Sequence, residues 1–402
     1  MTITKIFHFT LLLVCFSAFT AGQFALASEE GLFTRIHHQY QSNRAMGMGD
    51  AFIAVTNDYS AIFYNPAALA RRETGQFNGS IEVGVSNSFN DFYKDFKDPQ
   101  FTGTESQKFD QATDLLKKHF GKTFSARIGL MHGILARPYW GLAILPLDLT
   151  TEFKIHGPEL SPSIHLRTIA DTTIAYAYAN EWQGLLPGRL SWGTTAKFVN
   201  RAYANGAINA LDLTEAGNTV GDTFSKERVS DGFTIDFDLG ALYTPELPGD
   251  GIWYAFKLAK PTFGAVLRNV LDYGFESSLK LTNKNRISKP EKLHRVLDLG
   301  AKFEYPELWI FGGRGAIDFR DIMHPNVNFR KSLHIGFEFD WSVFSWWKGA
   351  YRVGLNQGYM TAGISALLFT FNLDLVTYGE DVGSFGTTRE NRVYMAKFNL
   401  DF

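Results

Sequence analysis

The chain has 402 residues, with 39 Lys and Arg against 41 Asp and Glu, and a formal net charge of −2. That balance excludes a basic face for nucleic acid and a charged tail; the single cysteine, Cys15, excludes a disulfide framework and a cysteine metal site. Aromatic residues reach 15% while mean hydropathy is only −0.11, which fits strands that are greasy on one face and polar on the other better than a bundle of membrane helices.

Residues 1–27 read as a cleaved signal peptide. Lys5 is the positive start, Leu11-Leu12-Leu13-Val14 the apolar core, and Ala25-Leu26-Ala27 a small-x-small cleavage site. The mature chain is expected to begin near Ser28, to lack cysteine, and to carry one unit less positive charge through loss of Lys5. No later stretch offers about 18 uninterrupted apolar residues, so no membrane helix is expected.

Residues 28–76 do not alternate and form a separate unit. Gly47 and Gly49 allow close backbone approach or positive φ. Asn65-Pro66 favours a turn in which Asn65 bonds its own backbone, and Ala67 to Arg71 suit one helical turn after it. A small, Gly- and Ala-rich segment of this kind suits a tight space such as a barrel lumen. The Gly-x-Gly here is not a nucleotide turn, because the rest of that fingerprint and its strand–helix context are missing.

From 76 onward a strict two-residue alternation keeps returning. It is cleanest at Phe233, Ile235, Phe237, Leu239 and at Leu333, Ile335, Phe337, Phe339, Trp341, with acids, bases and glycines between. Strands are expected at 76–86, 123–135, 139–154, 164–181, 189–203, 231–244, 261–270, 294–305, 307–321, 331–342, 348–357, 360–368, 369–381 and 391–402, about fourteen, an even number as a closed barrel needs. Long connections (87–122, 204–230, 271–293) follow odd strands; even strands end in short turns such as 136–138, 187–188 and 305–307, with 245–260 the exception. Phe109, Ala112, Leu115, Leu116 and Phe120 recur at helical spacing in the first long loop. Trp346, Trp347 and Tyr305 suit an interfacial aromatic girdle.

This is the pattern of an all-β, transmembrane antiparallel barrel, 77–402, with 28–76 as a hatch or plug in its lumen. Asp171, Lys197, Asp236, Asp238, Asp298, Lys302, Glu304, Arg314, Asp318, Arg320, His334, Glu338, Asp340 and Arg352 would face inward and pair across strands rather than act as acid–base machinery. Pro146 falls inside the third strand, where a missing ladder N–H calls for a bulge or kink. In the last strand Tyr394, Ala396, Phe398, Leu400 and Phe402 share one apolar face. No His-Glu-x-x-His, Gly-x-Ser-x-Gly or P-loop pattern is present, so no enzyme, metal or cofactor is expected.

The run Arg44-Ala-Met-Gly-Met-Gly-Asp-Ala-Phe52, followed by Tyr64-Asn65-Pro66-Ala67, resembles the FadL family of hydrophobic-compound transporters, with PorV-type and conjugal-transfer TraF-like barrels as distant relatives. The resemblance implies a fourteen-stranded barrel of the Gram-negative outer membrane, a hatch carrying Gly47, Gly49, Asn65, Pro66 and Ala67, and a third-strand kink, here Pro146, that serves as a side door. The apolar terminal strand (Tyr394, Phe398, Leu400, Phe402) resembles the signal read by the barrel-assembly machinery. The implied function is passive uptake of hydrophobic small molecules, long-chain fatty acids or hydrocarbons, with outer-membrane lipid and the ligand as partners. The alternatives are a PorV-type docking barrel for protein export or surface attachment, and a non-selective porin, which a hatch would obstruct.

Overall fold

The computed structural model describes residues 32–96, 101–158, 162–214, 229–248, 253–280, 289–308, 311–344, 346–383 and 387–402. The expected signal peptide and the start of the mature chain lie outside these residues, as do parts of the three long loops.

Fourteen antiparallel strands close on themselves: β1 (Gln76–Ser86), β2 (Thr123–Arg137), β3 (Trp140–His156), β4 (Ser163–Trp182), β5 (Gly188–Asn209), β6 (Ser230–Pro245), β7 (Thr262–Arg268), β8 (Val296–Leu308), β9 (Phe311–Ile322), β10 (Leu333–Phe344), β11 (Trp347–Asn356), β12 (Tyr359–Leu368), β13 (Phe371–Asp381) and β14 (Glu390–Asp401). Each strand pairs with its neighbours in sequence, and β14 returns to β1 in the register Ile81–Phe398. Closure leaves no free edge, which a lipid environment would punish.

The alternation decides which face is which. On β6, Ile235 is 52% exposed while the next residue, Asp236, is 1% exposed. Phe77, Ile81, Val83 and Val85 of β1 and Leu373, Leu375, Tyr394 and Phe398 of β13–β14 continue the apolar outer face. At the short-turn end Trp182 packs on Trp192 at 5.8 Å and Trp346 on Phe369 at 5.1 Å, part of an aromatic girdle that also includes the exposed Tyr305 and Trp347. No helix among the described residues is long and apolar enough to cross a membrane. An outward apolar wall, an inward charged wall and a girdle at one rim define a membrane-spanning barrel, with the long-loop end external.

Some boundaries differ from the sequence reading. β5 runs six residues past 203, because Ile208 and Ala210 join an apolar cluster outside the lumen with Phe92, Ala112, Leu116, Phe124, Phe153, Ile155, Ile164 and Leu166. β7 is shorter than 261–270, and β8 starts at 296 rather than 294. The turn expected at 305–307 is strand, β8 continuing to Leu308; residues 309–310 lie outside the described residues. The first long loop holds the helix Glu105–Lys118, started by a Thr104/Gln107 capping box, and a second helix, Phe89–Phe96. The long even-side connection contains the helix Trp253–Leu258.

Residues 32–72 do not join the sheet. They lie inside it, bonded to strands around the whole ring: Lys154 of β3, Thr195 of β5, Arg268 of β7, Asp318 of β9, His334 of β10, Thr361 of β12, Glu380 of β13 and Lys397 of β14.

Candidate functional site

The internal segment fits because the wall facing it is glycine. A Cβ on Gly193 would stand 2.6 Å from the Pro66 carbonyl carbon, and one on Gly354 2.5 Å from the Gly49 nitrogen. Gly264, Gly300 and Gly336 likewise meet Ile53 or Met48. Glycine weakens a strand but allows a second backbone to touch it, and here it does so on β5, β6, β7, β8, β10 and β11.

The residues singled out in the sequence sit at two points on this wall. After the short helix Asn43–Gly47 the chain turns left-handed at Gly49 (φ 65°) and Asp50 (φ 63°). Thr361 clamps that turn: its hydroxyl donates to the Gly47 carbonyl (2.9 Å) and accepts from the Gly49 N–H (3.0 Å). About halfway round the barrel, the Asn65 side-chain oxygen accepts from the Ala67 N–H (3.1 Å), while its amide donates to the carbonyls of Ile53 and Ala241, both at 3.1 Å. Pro66 opens the turn Pro66–Arg71, and Ala67 is fully buried. Gly47, Gly49 and Asn65–Ala67 are thus points where the segment is fastened; none lines the lumen cavity.

Charge does the rest of the fastening, through residues the sequence showed only as inward charges. Glu338 is fully buried and receives Arg44 (2.8 and 2.7 Å), Arg352 (2.6 Å) and Arg314 (3.2 Å). Arg35 bridges Glu152 and Glu380, both at 2.9 Å. Arg320 pairs with Asp50, and Asp318 accepts from the N–H groups of Phe52 (2.5 Å) and Ile53 (2.7 Å). His37 sits 3.1 Å from Asp171, which is already held by Arg201 at 2.8 and 2.7 Å. With that carboxylate neutralised, burial wins and pushes the His37 pKa down to about 3.

Above the segment lies a cavity of about 60 Å³, room for a few waters. One side is apolar (Ile36, Tyr40, Phe63, Leu293, Val296) and the other holds Lys197, Arg201, Arg268 and Arg320. Each of these cations is paired, with Asp238, Asp171, Asp298 and Asp50 respectively. On the lipid side of β6–β9 an apolar groove of about 560 Å³ runs over Ala241, Ala265 and Ala301. Its position outside the wall separates it from the lumen.

Pro146 marks a real break in the wall. The β3–β4 register slips by one between Leu145 and Asp148, and β3 is unpaired with β2 at Leu145 and Pro146. Facing Pro146, Met131 of β2 adopts φ 53°, is 72% exposed, and slips the β1–β2 register in turn. Sequence signalled Pro146 but not Met131, because a left-handed Met carries no composition cue. The freed carbonyls find side chains: Thr172 donates to Pro146 (2.8 Å), and His132 approaches that of Leu147 (3.2 Å). Behind the break stands Tyr40, 6.4 Å from the His132 ring and stacked on Phe63 at 4.8 Å. Tyr40 and Phe63 also line the lumen cavity.

No protein-family model and no curated protein matches the chain. Among solved structures it is similar to the CymD monoaromatic hydrocarbon channel (12% identity, TM-score 0.42, covering 89% of this chain and 96% of that one). It is also similar to the toluene transporter TbuX of Ralstonia pickettii (10%, 0.43, 89% and 97%) and to a TodX monoaromatic hydrocarbon channel mutant (11%, 0.44, 90% and 97%). At these identities and scores the functional reading rests on the geometry above. The class that geometry defines is a membrane-spanning, closed fourteen-stranded antiparallel β-barrel with residues 32–72 bonded to its inner wall.

Proposed function

We propose that this barrel passes hydrophobic small molecules through the outer membrane passively, with residues 28–76 as its plug and the break at Met131 and Pro146 as the exit. The observation that carries this is the placement of the break. The axial path is closed by buried ion pairs and glycine contacts around the ring, while the wall is unladdered where the plug presents Tyr40 and Phe63. An uncharged hydrocarbon suits the cavity better than a fatty acid, since a carboxylate would have to displace one already seated on each lining cation. The motif run that resembles the FadL family lies in the plug and supports the same reading.

The test is uptake of labelled toluene and of a labelled long-chain fatty acid into liposomes. Wild type is compared with Asn65→Ala and with a chain lacking both Met131 and Pro146. That double deletion keeps the β2–β3 register and restores the β1–β2 and β3–β4 ladders, so the barrel stays whole while the break closes. Uptake lost in the deletion supports sideways exit; uptake unchanged refutes it. The filled lumen favours a second reading, a docking barrel for an exported partner. Absence of uptake by well-folded wild type for both ligands would select it.

A further inference from the structure

The wall has a second weak place, four strands along from Pro146. β7 has seven residues, about 24 Å along the strand and about 18 Å along the axis at a ~40° tilt, against an apolar band about 25 Å tall. It pairs with β6 only from Leu239 to Tyr243. Above Leu239, β6 still shows Phe237 and Ile235 to the lipid side, and Phe233 packs on Phe198 at 5.7 Å. Above Leu239, β6 therefore has no ladder partner on its β7 side, where β8 too begins only at Val296, opposite Arg268.

Residues 269–280 fill the gap without forming a ladder. The Asp238 carboxylate accepts from the Asn269 N–H (2.9 Å), and Asp236 accepts from those of Leu271 (2.9 Å) and Asp272 (3.2 Å). Backbone bonds to β6 run from the Val270 N–H to the Phe237 carbonyl and from the Phe233 N–H to the Ser277 carbonyl. Phe275 is driven inward against Val199 and Leu293, with Arg201 4.7 Å from its ring centroid. Tyr273 and Leu279 stay exposed. Directly behind this strap lies the lumen cavity, whose lining includes Asn269, Leu293 and Val296.

We infer that the strap 269–280 covers a lateral entrance beside the upper part of β6, through which an apolar molecule dissolved in the outer leaflet reaches the lumen cavity. A strand ladder binds every second residue of a neighbour, whereas here two inward carboxylates, side-chain bonds such as Ser278 to Asp231 and Arg295 to the Val270 carbonyl, one aromatic wedge and two backbone bonds to β6 hold the strap. Inward carboxylates that staple loop backbone can let go one at a time, and Ile235 and Phe237 of β6 already present an apolar face to the lipid beside the strap. With the break at Pro146, the barrel has one opening for loading from the external leaflet and another for release. The inference rests on the uptake reading for its ligand, but its geometry is tested separately.

The cysteine-free mature sequence allows a clean access test. Val296→Cys places a thiol in the cavity lining, and the barrel in liposomes is treated with a lipid-soluble maleimide or a charged, water-soluble one. Asp236→Ala, and separately Phe275→Ala should the first misfold, loosen the strap. The expected result is lipid-soluble labelling about tenfold faster in either variant, with the charged reagent unchanged. Labelling unaffected by the strap, or raised equally for both reagents, overturns the inference. In a chain without the reporter, a disulfide between Phe233→Cys and Ser277→Cys, residues paired across the bridge, should lower uptake reversibly. Strap-dependent access without uptake would keep the entrance and discard the transport reading; uptake without strap-dependent access would do the reverse.

Discussion

Glu338→Gln measures how firmly the plug is held. The change preserves volume and removes the one anion shared by Arg44, Arg314 and Arg352. Arg44 keeps Asp58 and Asn57, Arg314 keeps Asp340, and Arg352 keeps Ser365. Three guanidinium groups then crowd a neutral amide inside a fully buried site. Removing one member of a buried charge cluster costs about 3–5 kcal/mol, or roughly two to three and a half powers of ten in an equilibrium. Of the three, only Arg44 belongs to the plug, so the cost falls on plug docking while the strand ladders are untouched. Amide hydrogen exchange in detergent reads this directly. The N–H groups of Phe52 and Ile53, held by Asp318, should exchange at least a hundredfold faster, with those of β10 and β11 unchanged. The double variant with Arg44→Met should recover part of the loss, since the worst unpaired charge is gone. Acceleration under threefold at Phe52 and Ile53, or equal acceleration in the strands, would show that the plug is not held through Glu338.

Gly193→Ala forces a methyl to within 2.6 Å of the Pro66 backbone and should loosen the Asn65–Ala67 turn by about 1–3 kcal/mol without unfolding the barrel; proteolysis of the plug against heat-modified mobility of the barrel separates the two. Asn65→Ala deletes three hydrogen bonds at buried backbone and should cost about 1–3 kcal/mol of plug docking, read by the same exchange experiment at Ile53. Acid should loosen the plug as well. His37, with its pKa lowered to about 3 in place against 6.5 when free, binds a proton between those values only when released, so docking is full above pH 6.5 and weakens as pH falls toward 3; His37→Gln should flatten that dependence at the Tyr40 amide.

The strands were legible because each carries its own lipid-facing code. Ile235, Phe237 and Leu239 alternate with Thr234, Asp236 and Asp238 whatever the rest of the chain does. Pro146 was legible for a similar reason, since proline forbids a ladder bond locally. The fastening of the plug was not. Gly193, Gly240 and Gly354 look like weak strand residues until Pro66, Asn65 and Gly49 are placed against them. Nor does Asp236 differ in sequence from Asp238, though one holds two strap N–H groups and the other a lysine and Asn269. Such roles depend on which distant backbone arrives, and a period-two pattern carries no record of that. The length of β7 was overread because Asn269 and Val270 continue its alternation after its pairing with β6 has stopped.

The energetics decide how a molecule gets past such a plug. Withdrawing residues 32–72 as a unit would break Arg35, Arg44 and Asp50 from their buried partners, at about 3–5 kcal/mol each, before the glycine contacts are counted. That total exceeds what a greasy ligand of a few carbons returns at about 0.8 kcal/mol per buried methylene. Turning Tyr40 away from Phe63 forfeits about 0.5–1.5 kcal/mol of ring contact, which an apolar ligand's own contacts can replace, and the hydrogen bond from Lys397, worth about 1.5–3 kcal/mol, after which that ammonium keeps Glu82. Passage by local rearrangement of that pair is therefore favoured over removal of the plug. Tyr40→Ala should raise uptake severalfold while leaving exchange at Phe52 and Ile53 unchanged, and a variant in which both rise together would show that the plug moves as one body after all.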